Sequence, residues 1–174
     1  MPGISGPGGV SQIVCGPSDR ILENGDILLI DTGSTFEGYF CDFDRNFAFG
    51  SPTSQVERVN EVLWKATEAG IKAAVPGATT LDIFNTMNKI IEEGGALGNN
   101  VGRLGHGLGL QLTEPPSHRL EEETVIKENM VLTIEPGMEY EKDKMLVHEE
   151  NIVIHKDGAE LITKRAPREI PIIK

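Results

Sequence analysis

Three features of this sequence predict an α+β fold with a mostly antiparallel sheet. Short apolar runs bounded by Gly and Pro, the signature of strands, occur in the first third and again in the last third. Between them, two stretches carry apolar residues at helical spacing. The resulting order is two strands, two helices and then several strands. It lacks the strict strand–helix alternation of a parallel doubly wound sheet.

Residues 1–25 are rich in Gly, Pro and Ser and read as loop, with one short strand around 13–15. GDILLIDTG (25–33) is an apolar run closed by glycines, a buried strand. EGYFCDFDRNFAFG (37–50) is a second strand, rich in aromatics, and the connection 34–38 is hairpin-sized. Ser51-Pro52-Thr53 opens a helix in which Val56, Val59, Leu63, Ala66, Gly70 and Ala73 recur at helical spacing to about Val75. Pro76-Gly77 ends it. A second helix after Thr79-Thr80 lines up Leu81, Phe84, Met87 and Ile91 as core residues and stops at Gly94-Gly95. Segments 107–112, 130–138, 145–154 and 159–163 are the remaining strands. With no internal repeat, residues 1–174 read as a single domain.

Composition narrows the function. A formal net charge of −11 argues against a nucleic-acid partner. Cys15 and Cys41 are too few for a disulfide scaffold and lack metal-ligand spacing, which fits a reduced cytoplasm. No apolar run approaches the roughly 18–20 residues that span a bilayer, so a membrane location is not expected. The opening MPGISGPGGV lacks the basic start and apolar stretch of a signal peptide.

The informative residues are carboxylates where strands should be apolar. Asp31 ends an apolar strand, and an unpaired carboxylate is costly to bury there. Asp42 follows on the next strand, and Asp44 shares its face at i+2. Three carboxylates on one hairpin repel, and a divalent cation relieves them; pairing with Arg45 or lysines on a wet surface is the competing reading. His106, in GRLGHGLGL, lies among glycines that permit close backbone approach, a setting that is more often structural than ligating. Glu135, in VLTIEPG, and the pair Glu149-Glu150, in MLVHEENIVI, again interrupt apolar strands; of the pair, Glu150 suits a solvated face. Cys41 points away from Asp42 and serves packing. Two Asp, one His and two Glu can hold two metals about 3.5–4 Å apart, which share a bridging hydroxide, with a carboxylate passing its proton to a leaving amine.

In this order, IDTGSTFEGYFCDFDR, GHGLGL, TIEPGM and HEENIVI resemble motifs of the pita-bread metallopeptidases: methionine aminopeptidases, Xaa-Pro aminopeptidases and prolidases. The resemblance runs from about Gly25 to Thr163. It implies a curved sheet carrying the site on its inner face with helices outside. It implies two divalent metal ions, with manganese first and cobalt, iron or zinc as alternatives, bound by Asp31, Asp42, His106, Glu135 and Glu149. Asp42 and Glu149 would bridge, and Glu135 and His106 would carry catalysis. The substrate would be a short peptide cleaved at its N-terminal amide bond.

Four departures accompany the likeness. Thr113, in Thr113-Glu114-Pro115-Pro116, stands where the family has a histidine that contacts substrate. Asp44 adds a carboxylate where the family has Thr, and both residues are expected on the substrate side. Val147 replaces an arginine. Only 30 residues precede Asp31, so an N-terminal part of the fold is expected to be missing, which favours a homodimer or another partner. The first three departures resemble a branch acting on small zwitterions, such as ectoine-type hydrolases and a dimethylsulfoniopropionate lyase. An inactive fragment serving as a binding module is the third reading.

Overall fold

The structure, a computed structural model, describes residues 3–11, 19–97 and 102–174. In chain order the elements are β1 (Gly3–Pro7), β2 (Asp26–Phe36), β3 (Tyr39–Phe49), α1 (Ser54–Ala73), α2 (Thr80–Glu93), β4 (His106–Gly107), β5 (Glu114–Ser117), β6 (Val131–Ile134), β7 (Gly137–Glu141), β8 (Lys144–Val147), β9 (Glu150–His155), β10 (Gly158–Leu161) and β11 (Ile172–Ile173). The strands form a four-stranded sheet (β1-β2-β3-β11), a five-stranded sheet (β10-β9-β6-β4-β5) and the β7-β8 hairpin. All pairings within them are antiparallel except that of β11 with β3.

The β2–β3 hairpin is tighter than the sequence indicates. Glu37 and Gly38 alone form its loop, with φ of 51° and 88°, the left-handed pair that a two-residue turn requires. Asp31 therefore sits within β2 rather than at its end. Register places Ile27, Leu29, Asp31 and Gly33 opposite Ala48, Asn46, Asp44 and Asp42. Paired residues share a face, so this face changes from apolar to acidic along its length. Its apolar end is anchored: Ile27 and Ala48 join the main core, and Leu29 packs with Val10, Met145 and Val147.

Both helices begin where the sequence signals. Thr53 caps α1 by accepting from Val56 N, and Thr79 forms a reciprocal capping box with Asp82 at the start of α2. Val56, Val59 and Leu63 of α1 and Ile83, Met87 and Ile91 of α2 are buried with Leu132, Ile134, Ile152 and Ile154 of the five-stranded sheet. Burial of side chains of this size contributes roughly 1.5–3 kcal/mol each, which is what holds the helices to the sheet.

The second half differs from expectation in its breaks. Segment 130–138 is two strands, parted at Glu135-Pro136, where proline has no N–H for a ladder. Segment 145–154 is likewise parted at His148-Glu149. Of segment 107–112 only Gly107, the second residue of β4, is strand; Gly109 N donates to Gln111 O and the chain turns. Three strands were not legible: β1 in the Gly/Pro-rich start, the two-residue β11, and β5, whose Pro115-Pro116 is tolerated because β5 is a sheet edge. The strand expected around 13–15 lies outside the described residues.

Candidate metal centre

Two strand breaks, a hairpin and a glycine-flanked histidine converge on one buried acidic cluster. Ligand atoms of Asp42, His106 and Glu149 all lie within 4.8 Å of one another. Glu135 adjoins them, with Oε1 3.4 Å from His106 Nε2. Asp31 and Asp44 join through the β2–β3 ladder, on the face that carries Asp42. All five predicted ligands therefore border one region, and Asp42, His106 and Glu149 form its tightest group.

Each side chain is positioned by a specific backbone tie. His106 N donates to Thr133 Oγ1 at 2.9 Å, and Thr133 in turn lies 3.5 Å from Glu135 Oε1. Glu135 N donates to Leu104 O at 3.0 Å, locking the two ligand segments together. Asn151 Oδ1 accepts from Asp42 N at 3.0 Å while its Nδ2 donates to Asp42 O. One amide side chain thus completes the edge of β3 and ties the first sheet to the second. Arg45 donates to Glu149 O at 2.8 Å and to Glu150 Oε2 at 3.1 Å.

That last contact corrects the sequence reading of Glu150. It is fully buried rather than solvated, and Arg45, Arg165, Thr163 and Ala166 N all donate to it. Arg45 is thereby committed to Glu150 and to the backbone, and does not pair with Asp42 or Asp44 as the surface reading required.

Electrostatics make the cluster incomplete without a cation. Burial, then repulsion from Asp31, raises Asp42 to about 6 despite Arg103. Burial raises Glu135 to about 7, with Arg103 opposing and Asp42 and Asp31 adding to the shift. Burial followed by the neighbouring carboxylates drives Asp44 and Glu149 well above the usual carboxylate range. Burial alone raises Asp31. Asp44 Oδ1 and Glu149 Oε1 are buried with no hydrogen-bond donor, a costly state for a carboxylate oxygen.

Histidine 106 points the same way. Its Nδ1 lies 2.8 Å from Gly107 O, and a carbonyl only accepts, so the proton sits on Nδ1. Burial lowers its pKa and keeps the ring neutral. The bare Nε2 lone pair then faces Glu135 Oε1 at 3.4 Å and Asp42 Oδ2 at 3.8 Å. Lone pair against carboxylate oxygen is repulsive unless a proton or a metal ion lies between. Oxygen donors with one imidazole fit divalent manganese, iron, cobalt or zinc.

The two expected substrate-side residues differ in setting. Asp44 is buried within the cluster. Thr113 is exposed on the turn after β4, next to Leu112, whose Cδ1 lies over Gly33 beside the acidic face. Sequence reasoning missed Asn151, Thr133 and Arg103. The first two could have been flagged as polar residues inside otherwise apolar strands.

A buried histidine–carboxylate cluster on mostly antiparallel sheets defines a candidate metal-binding scaffold. The chain belongs to metallopeptidase family M24, whose model matches residues 2–157. It is 35% identical over 147 residues to an Xaa-Pro dipeptidase of Pyrococcus furiosus, covering 84% of this chain and 42% of that protein. The structure is similar to an X-Pro aminopeptidase from Thermotoga maritima, with TM-score 0.87, 31% identity and coverage of 98% of this chain and 48% of that one. It is also similar to methionine aminopeptidase from Rickettsia prowazekii, with TM-score 0.76, 26% identity and coverage of 85% and 68%. The fold is the pita-bread fold, and the chain spans less than half the length of the dipeptidase it matches. Among the described residues, no helix is long and apolar enough to cross a membrane.

Proposed function

We propose that this chain is the metal-binding part of a dinuclear Xaa-Pro peptidase, residues 1–174 acting as one partial catalytic domain that cleaves the N-terminal amide bond of a short peptide. The observation that carries this reading is the clustering of Asp42, His106 and Glu149 ligand atoms within 4.8 Å, bordered by Asp31 and Glu135 and containing buried oxygens without donors. In this reading Asp31, Asp42, His106, Glu135 and Glu149 would hold two divalent ions, manganese foremost. When bound, such ions supply Lewis acidity toward the scissile carbonyl and lower the pKa of a water.

The protein's own groups handle orientation and protons. His106 is held in the ligating tautomer by Gly107 O. Glu135 takes a proton and delivers it to the leaving amine. Thr133 Oγ1 orients that carboxylate. Thr113 and Asp44 shape substrate choice. Thr113 donates a hydrogen bond but is no base near neutral pH, so Thr113→His raises Xaa-Pro cleavage.

The test is metal-dependent hydrolysis of an Xaa-Pro dipeptide panel by the manganese-loaded chain, with His106→Ala and Glu135→Ala alongside. Cleavage by the wild type and its loss in both variants is the expected result. A folded, metal-loaded wild type that cleaves no member of the panel refutes the proposal.

A further inference from the structure

We infer that this chain has a second ligand site, apart from the acidic cluster, which takes a small aromatic primary carboxamide between β3 and the C-terminal segment. The inference does not rest on the peptidase reading.

A cavity of about 580 Å³ lies between β3 and residues 162–171, with His148 and Asn60 also in its wall. That volume is ordinary for a small-molecule site. Phe43, Phe47, Ile162, Pro167 and Ile170 give it apolar walls. Asp44 is the residue it shares with the acidic cluster. Besides Asp44 Oδ1, three polar atoms on its lining residues are buried without a hydrogen-bond partner: Asn46 Oδ1, His148 Nδ1 and Arg165 Nε. Asn46 is 7% exposed and His148 3%.

The role of each atom follows from what its side chain already holds. Asn46 Nδ2 donates to Val147 O at 2.6 Å, which orients the amide and leaves Oδ1 as an acceptor. Asn60 Nδ2 donates to Arg168 O at 2.8 Å, which turns Asn60 Oδ1 toward His148 Nε2 at 2.7 Å. That oxygen accepts, so Nε2 carries the proton and Nδ1 presents a lone pair. Arg165 donates from Nη1 to Glu150 and from Nη2 to Trp64 O, and lies 4.9 Å over the Trp64 ring, so Nε–H remains as a donor. Two acceptors and one donor, on side chains fixed by other bonds, thus line one apolar cavity. A primary carboxamide carries the complementary set, two N–H donors and one carbonyl oxygen. A carboxylate brings no donor, and an ammonium no acceptor. An aromatic ring on the amide suits the wall that holds Phe43 and Phe47.

Calorimetry on the manganese-loaded chain tests this with benzamide and acetophenone, which keeps the ring and carbonyl but replaces NH₂ by CH₃. The wild type is expected to bind one benzamide, at least about ten-fold more tightly than acetophenone, because the ketone leaves both acceptors unpaired. Ala166→Phe fills the cavity, and Ile162→Trp obstructs it from an exposed lining position. Each variant is expected to remove saturable benzamide binding with manganese stoichiometry unchanged. Where Ala166→Phe does not fold, Ile162→Trp decides. Three results overturn the inference: no saturable benzamide binding by the wild type, which leaves water to serve the three atoms; equal affinity for acetophenone; or binding kept in the folded variants, which places it elsewhere on the chain.

Discussion

His106 shows how one proton position organises the centre. Because Gly107 O takes the Nδ1 proton, Nε2 is left as a lone pair aimed at two carboxylates. His106→Ala is predicted to reduce metal affinity about 100-fold while leaving the circular dichroism spectrum unchanged; unchanged affinity contradicts its role as a ligand. Glu150 makes the complementary point. It neutralises Arg45 and Arg165 at a fully buried position. Glu150→Ala removes the carboxylate partner of both cations and is expected to cost about 3–5 kcal/mol in urea unfolding. It also loosens Arg45, which holds Glu149 O, so metal binding weakens with it. At this scale the sequence singles out the residues that gather at the cluster. Asp31, Asp42, His106, Glu135 and Glu149 stand out as polar groups in apolar or glycine-rich runs. Glu150 was misread because strand alternation assigns adjacent residues to opposite faces, one of them wet. Here Glu149 lies in a break between strands, and the C-terminal segment brings Thr163, Arg165 and Ala166 over Glu150.

At the scale of elements, three of the five proposed ligands sit where strands start or stop. Glu135 and Glu149 occupy the breaks between β6 and β7 and between β8 and β9, and His106 begins a two-residue strand at a register shift. A break frees a side chain from strict alternation and lets it reach the centre. Periodicity sees only continuous apolar runs there, because the flanking strands are four to six residues long and separated by two residues. The helices, by contrast, were legible almost to the residue, since Thr53 and Thr79 cap them locally. Two variants test this scale. Gly105 has φ of 148°, and a Cβ there would collide with Thr133 O and the His118 ring. Gly105→Ala should destabilise the fold by about 2 kcal/mol or more and weaken metal binding, since it displaces His106. Asn151→Ala strands the backbone N–H and C=O of Asp42 between the two sheets. A loss of about 1–3 kcal/mol for each stranded group is expected in denaturant unfolding. A loss under about 0.5 kcal/mol would show that the seam is held elsewhere.

For the whole molecule, the acidic cluster links stability to pH and to metal. Burial lifts Glu135 and Asp42 to about 7 and about 6 in the folded chain, above the usual carboxylate range. The folded, metal-free chain therefore holds protons that the unfolded chain has released. The stability from these groups is complete below about pH 4 and is lost as pH rises through 6 to 7. The thermal midpoint of the metal-free chain should fall between pH 5 and about 7.5, and saturating manganese should remove that fall; a midpoint that rises over the same interval contradicts the burial of these carboxylates. The overall α+β order was legible because each element carries its own signal. The division into two sheets and a hairpin was not, because it depends on long-range pairing such as that of β4 with β6 and β11 with β3. We propose that five residues from both sheets and the breaks between strands assemble one dinuclear centre. Calorimetric titration of the metal-stripped chain with Mn²⁺ tests it most directly. Two ions per folded chain, with binding lost on substitution of Asp42 and Glu149, is the predicted result. A folded chain that binds no ion, or that keeps full stoichiometry without Asp42 and Glu149, contradicts it.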